Sequence, residues 1–216
     1  MNQNCKICGS PTREFIHNRT KTLYFHCPIC DFIQKDENSF PSKEKELSIY
    51  MLHENSIDRE DYVGYLKKFV DQALIPFMKK EAFGLDFGSG PVPVLSQILK
   101  RDYDLKTDIY DYYFAPETIY LEKSYDFIVS TEVIEHLQDP LKSFSIFGEL
   151  LVKGGILSLM TLFHPQSDSL FQEWWYTRDK SHISFYTTLT IEYLARLFSF
   201  DIIYTDNIRY ITLIKR

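Results

Sequence analysis

The sequence predicts an α/β protein: a mostly parallel sheet with helices on both faces, an antiparallel terminal hairpin, and a small N-terminal module. Three observations carry this. From about residue 82, short apolar β-rich runs alternate with segments of helical periodicity, which implies strand–helix–strand units and a parallel sheet. Residues 200–216, FDIIYTDNIRYITLIKR, hold two β-rich runs about a DN turn, the pattern of a hairpin. All four cysteines lie in the first 30 residues, as two Cys-x-x-Cys pairs.

The cysteines come first in chain order. CKIC holds Cys5 and Cys8, and CPIC holds Cys27 and Cys30. Two such knuckles can place four thiolates at the corners of a tetrahedron around Zn²⁺. His26 is a competitor for one position. Four sulfur ligands leave no open coordination site, so this zinc is expected to be structural, supplying folding energy to a unit with little core of its own. REFIHNRTKTLYFH, between the pairs, can form a hairpin. Residues 1–40 are therefore read as a zinc-ribbon module, either capturing substrate or serving as a stabilising cap.

Residues 41–81 are read as linker and leading helix. The polar run DENSFPSKEKE is expected to be a linker. Tyr62, Tyr65, Leu66, Phe69, Val70, Ala73 and Leu74 then recur at helical spacing, and Pro76 ends or bends that helix. Residues 82–216 form the main domain. AFGLDF, KTDIYD, YDFIVST and ILSLMT are expected strands. VPVLSQILKR and TTLTIEYLARLFS are expected helices. DPLKSFSIFGELLVKGG is read as a helix with an Asp-Pro start and a Gly-Gly stop, and EVIEHL as the start of another.

The bulk composition narrows the partners. At 216 residues the chain can bury one sizeable core and a small appendage. The net charge of −6 argues against a general phosphate-backbone binder, which would need a basic surface, so nucleic acid is not favoured as a partner. No apolar run approaches the ~20 residues that cross a bilayer, so no membrane partner is expected. The N-terminus lacks the basic-then-apolar pattern of a signal peptide, which makes a cytoplasmic location the default expectation.

The most informative turn is GLDFGSG, residues 84–90. Ligands of parallel sheets bind at the C-terminal strand ends. Gly88 and Gly90 would let backbone approach a ligand closely, and Asp111, closing the next strand, can accept hydrogen bonds from both ribose hydroxyls. The pattern is neither Gly-x-Gly-x-x-Gly nor a Walker loop.

With the order of GLDFGSG, IYD, YDFIVSTEVIEHL, LLVKGGILSLMT and the terminal hairpin, residues 82–216 resemble the class I S-adenosylmethionine (SAM)-dependent methyltransferases. The resemblance implies a Rossmann-like, seven-stranded, mostly parallel sheet with an antiparallel last strand. It implies that Asp86, Gly88 and Gly90 flank the methionine part of SAM, that Asp111 holds the ribose, and that Thr131 and Glu132 line the pocket. Two departures stand out. Val92 occupies the place of a frequent third glycine, and few residues separate Asp111 from Tyr125. The third helix and strand must be abbreviated, around PETIYL. The usual acidic adenine contact has no counterpart there, and Tyr112, Tyr113 or Phe114 are offered as stacking partners instead.

A second cation is suggested beside the expected methyl group. On a helix, Glu132, Glu135 and His136 fall within a ~100° arc, and His182, in RDKSHISFY, offers a fourth ligand. This set looks like the metal site of the small-RNA 3′-end 2′-O-methyltransferases, and certain quinone-precursor O-methyltransferases show a similar motif. Mn²⁺, Fe²⁺ or Zn²⁺ suit such mixed ligands better than Mg²⁺. Without a metal, Glu135 could simply cap or salt-bridge and His136 pack near the cofactor, or His136 or His182 could act as general base, with His164 a further candidate at the same rim. Trp174, Trp175 and Tyr176 are read as a lid or as packing, and His53 and Asn55 as cofactor contacts. The expected activity is SAM-dependent methylation, at oxygen, of a small-molecule or nucleotide acceptor. An RNA methyltransferase and a non-catalytic SAM-fold binding protein are the alternatives.

Overall fold

A computed structural model describes residues 3–52 and 55–216. The N-terminal part forms a hairpin of β1 (Arg13–Ile16) and β2 (Leu23–His26), extended by β3 (Ile33–Lys35). The expected linker is partly helical. After a short 3₁₀ turn at Glu37–Ser39, α1 (Lys43–Tyr50) forms, with the Ser42 side chain accepting from the Lys45 N–H. Glu44 and Glu46 in its first turn suit the positive end of the helix dipole. The leading helix α2 (Glu60–Phe69) runs on through a wider π turn, and Pro76 sits in the closing 3₁₀ turn, Ile75–Phe77.

The central sheet is built from β4 (Phe83–Phe87), β5 (Lys106–Tyr110), β6 (Tyr125–Thr131), β7 (Leu151–Met160), β9 (Phe200–Thr205) and β10 (Tyr210–Lys215). Their order is β5-β4-β6-β7-β10-β9. β4, β5, β6 and β7 pair in parallel, whereas β10 is antiparallel to both neighbours, as the terminal hairpin requires. Helices α3 (Val94–Tyr103), α4 (Pro140–Leu150), the short α5 (Asp168–Glu173) and α6 (Thr188–Leu197) connect the strands. The apolar stripe of α3, with Ile98 and Leu99 fully buried, packs with α2 in one core cluster. Phe144, Phe147 and Leu194, from α4 and α6, belong to another.

Three expectations need correcting. Among the described residues the main sheet has six strands rather than seven. The short segment after Asp111 forms a tight turn bridged between Asp111 and Ala115 and a 3₁₀ turn, Thr118–Glu122, and adds no strand to the β5 edge. The Gly-Gly of LLVKGG does not stop a helix. α4 ends at Leu150 and β7 begins at Leu151, with the glycines inside the strand where its register against β6 slips. EVIEHL does not begin an α-helix either. Glu132 adopts φ +54°, Val133 stays non-helical, and only a 3₁₀ turn forms at Ile134–His136. The helix starts later, at Pro140, where the Asp139 carboxylate accepts from the Lys142 N–H.

A second sheet has the order β1-β2-β3-β8, with β8 at Ser184–Phe185. The N-terminal module is thus completed by a strand from far along the chain. Cys5, Ile7, Cys27, Cys30 and Phe32 share one apolar cluster with Leu85, Leu159 and Ile191 of the main domain. Among the described residues, no helix is long and apolar enough to cross a membrane.

Candidate active site and cysteine cluster

The four cysteines converge. Their sulfurs lie within 4.8 Å of one another, with Cys5–Cys30 at 3.5 Å and Cys8–Cys27 at 3.4 Å. None is in a disulfide. A zinc tetrahedron with Zn–S near 2.3 Å has edges of about 3.8 Å, close to these separations. The two knuckles share one backbone form. Gly9 N–H donates to Cys5 O and Asp31 N–H to Cys27 O, both at 3.0 Å, and both donors sit at positive φ. The Ile7 N–H also donates to Cys5 Sγ at 3.4 Å. The hydrogen bond from Cys30 pulls the Cys5 thiol down to about 5, whereas burial pushes Cys27 up to about 11. His26 is engaged elsewhere, with its Nε2 2.7 Å from Asp31 Oδ1.

A cavity of about 710 Å³ opens at the C-terminal ends of β4, β5 and β6, a size that suits a nucleoside-bearing ligand with room beside it. Asp86, Gly88, Gly90, Asp111, Thr131, Glu132, His136 and His182 all line it. At Gly88, φ is +86° and a Cβ would lie 2.3 Å from Val133 Cγ2. At Gly90, φ is +69° and a Cβ would meet only Asn55 Nδ2, at 3.4 Å. Val133 thus covers Gly88 on its side-chain face, while Gly90 leaves backbone that a ligand can approach closely. Asp111 accepts from the N–H groups of Gly90, Tyr113 and Phe114. Its Oδ2 takes only one of these and retains accepting capacity. Asp86 is fully buried, with Ser96 Oγ donating to it at 2.9 Å, and burial raises it to about 7. Tyr112, Tyr113 and Phe114 reach the rim, and Asn55 lines the wall. His53 lies outside the described residues.

Beyond β6, the side chains of Glu135, His136 and His182 bring ligand atoms within 4.8 Å of one another. His136 Nδ1 lies 3.1 Å from Ser181 O, and His182 Nδ1 lies 2.8 Å from Tyr176 O. A carbonyl can only accept, so each Nδ1 carries the proton and each Nε2 keeps its lone pair. Burial lowers both imidazoles, His182 to about 3, and holds them neutral. Glu135 is fully buried, and its Oε2 has no hydrogen-bond partner. Burial first, and the Glu132 charge second, raise this carboxyl well above the ordinary range.

Glu132 is held apart from that trio. Its Oε1 accepts from Tyr65 Oη and its Oε2 from Tyr176 Oη, both at 2.7 Å, and Arg209 donates to Tyr65 Oη at 2.9 Å. Tyr176 Oη also lies 2.5 Å from Glu135 Oε1. A phenol has one proton and cannot donate to two carboxylates at once. Either one of the two carboxyls carries a proton of its own, or a cation compensates their charge. Tyr65 reads as a core position by its helical spacing, so nothing in the sequence marks this network in advance.

The remaining candidates sort by position. His164 is buried against the cysteine module, its Nε2 2.7 Å from Asp31 O, and does not line the cavity. Trp174 packs between Phe171, Tyr176 and Phe185. Trp175 stands at the cavity mouth, 57% exposed.

No curated protein sequence matches the chain. Among solved structures, an O-methyltransferase family protein from Burkholderia thailandensis superposes with a TM-score of 0.53 at 11% identity, over 80% of this chain and 68% of that one. CalO1, a methyltransferase in calicheamicin biosynthesis solved in its SAH-bound form, superposes with a TM-score of 0.53 at 11% identity, over 81% of this chain and 59% of that one. These likenesses show the fold alone. A family model described as a methyltransferase domain matches residues 59–205, well over half of the 216. With six strands in the order found here and a cavity at their C-terminal ends, the chain belongs to the methyltransferase domain family.

Proposed function

We propose that the chain transfers a methyl group from SAM to a hydroxyl oxygen of a small-molecule or nucleotide acceptor, with a divalent cation at Glu135, His136 and His182. The observation that carries the reading is the trio itself: two imidazoles whose Nδ1 is tied to a carbonyl and whose Nε2 makes no hydrogen bond among the described residues, with Asp179 Oδ2 3.8 Å from that of His182, beside a buried carboxyl with an unpartnered oxygen. Such a donor set fits Mn²⁺, Fe²⁺ or Zn²⁺. SAM supplies an electrophilic methyl carbon, and a cation lowers the pKa of a hydroxyl and orients it.

The protein's own contribution in this reading is placement. The Gly88–Gly90 edge and Asp86, once ionised, flank the cationic methionine part of the cofactor, and Asp111 holds its ribose. Thr131 and Glu132 form the wall nearest the methyl group. Ser181 O and Tyr176 O fix both imidazole tautomers, as partners behind ligating histidines do. The four cysteines hold a structural Zn²⁺, and residues 1–40 act as a module that braces the rest rather than as a catalyst.

The test is calorimetry with SAM and with Mn²⁺ on wild type and Glu135→Gln. The expected result is unchanged SAM affinity, lost Mn²⁺ binding, and a kcat lower by on the order of 100-fold. Metal-independent turnover, unchanged in Glu135→Gln, would remove the cation from the mechanism. Absent SAM binding would remove the transferase reading.

A further inference from the structure

The geometry points to Lys35, on β3 of the cysteine module, as a positioning residue for the candidate active site. It clamps the segment 180–183, and through it the His182 imidazole, beside Glu135 and His136. This rests on the proposed role of that trio.

Lys35 is only 4% exposed. Its Nζ donates to Lys180 O at 2.7 Å and lies 3.4 Å from His182 O. Among the described residues it makes no ion pair. A buried ammonium is costly, and an apolar side chain of the same length would fill the space without that cost. Here the charge meets main-chain carbonyls of one short segment, the one that carries His182, with the Asp179 carboxylate also acting on it.

The same segment is cross-linked on both sides. Toward the module, Lys35 N–H donates to Ile183 O at 2.9 Å, and Gln34 pairs with Ser184 in the β3–β8 ladder. Toward the cavity, Ile183 N–H donates to Glu135 O at 2.8 Å, Ser184 Oγ donates to Leu137 O at 2.8 Å, and His136 Nδ1–H donates to Ser181 O. β3 is in turn tied to the second knuckle, where Cys27 N–H donates to Phe32 O at 2.9 Å. A route of backbone hydrogen bonds and short chain segments therefore runs from the second knuckle to the trio. Lys35 is the point at which a charged side chain reinforces it.

The experiment uses the full chain loaded with zinc, as wild type, Lys35→Met and Lys35→Arg. Five quantities are read: zinc content, affinity for S-adenosylhomocysteine, affinity for Mn²⁺, and two magnetic-resonance signals. The signals are the ¹⁵N shifts of the His182 ring, assigned with His182→Gln, and the exchange rate of the Ile183 amide. For Lys35→Met the expected result is unchanged zinc and S-adenosylhomocysteine binding, with Mn²⁺ affinity lowered about 10-fold or more. The His182 ring should pass from the single Nδ1–H tautomer to a mixture, and Ile183 should exchange faster. Lys35→Arg should restore most of each. An unchanged His182 tautomer and Ile183 exchange in Lys35→Met would overturn the proposal. So would exchange that accelerates equally through β6 and β7, because that marks a merely structural lysine. If wild type binds no Mn²⁺, the cation reading fails, and the tautomer and exchange still decide the role of Lys35.

Discussion

Gly88 and Gly90 look equivalent in the sequence, but their surroundings separate them. At both, positive φ penalises any side chain, by roughly 1 kcal/mol for an alanine. Gly88 adds a collision, because a Cβ would lie 2.3 Å from Val133. Gly88→Ala is therefore expected to lose several-fold more SAM affinity and more thermal stability than Gly90→Ala. Calorimetry and a melting curve check this, and Gly88→Ala combined with Val133→Ala should recover part of the loss. Asp86 gives a prediction in pH. Burial raises it to about 7 in the folded protein, above the ~3.9 of an unfolded chain. A carboxyl raised by folding contributes stability that is complete below the unfolded pKa and lost as pH rises through the folded one. Cofactor-free wild type should thus lose up to about 4 kcal/mol between pH 4 and 7 from this group, then level off. Asp86→Asn should remove that slope in denaturant titrations at pH 5 and pH 8. SAM, being cationic, should restore stability above pH 7 in wild type more than in the variant. Asp86, Gly88, Gly90 and Asp111 are legible in the sequence because a strand, a turn and a strand end bring them together over a short span. Tyr65 and Tyr176 are not, because their meeting at Glu132 joins α2 to a loop more than a hundred residues later.

At the scale of elements, periodicity serves well where a segment is long and fails where a strand end is reshaped. α2, α3, α4 and α6 lie where their apolar spacing puts them. The segment after β6 does not, because Val133 must cover Gly88 and Glu132 must reach two phenols. Those demands hold Glu132 in the left-handed region and leave a 3₁₀ turn instead of a helical face. The trio at the cavity consequently comes from one tight turn and one distant loop, not from a helix stripe. The cysteine knuckles were legible because their spacing is short and their ligand chemistry is narrow. Their prediction concerns the metal. Chelation, or Cys27→Ser, should lower the melting temperature by on the order of 10 °C, since a bound metal contributes directly to folding in a unit with little core. Elemental analysis before and after should show that one zinc per chain leaves with the stability.

For the whole molecule, the question is whether the cysteine module folds by itself. Its sheet is completed by β8, from residues 184–185, so three strands of the module leave an edge that only the distant strand pairs. Its buried side chains share a cluster with β4, β7 and α6, and Tyr24 and Ile33 pack with Phe171 and Phe185. Thr190 Oγ1, at the start of α6, donates to Cys30 O at 2.9 Å, and Lys6 Nζ, in the first knuckle, donates to Gln138 O at 3.1 Å. An arrangement of this kind ties the stability of the module to that of the central sheet. In urea, zinc-loaded protein should unfold in one transition, with the fluorescence of Trp174 beside Phe185 and the far-ultraviolet circular dichroism of the main sheet changing together. After chelation, the tryptophan signal should move to lower urea first, because β8 loses its partner while β4, β6 and β7 keep theirs. Two separate transitions in the zinc-loaded protein would instead mean that residues 1–40 stand alone energetically. The path from the cysteines to His182 would then carry no mechanical load.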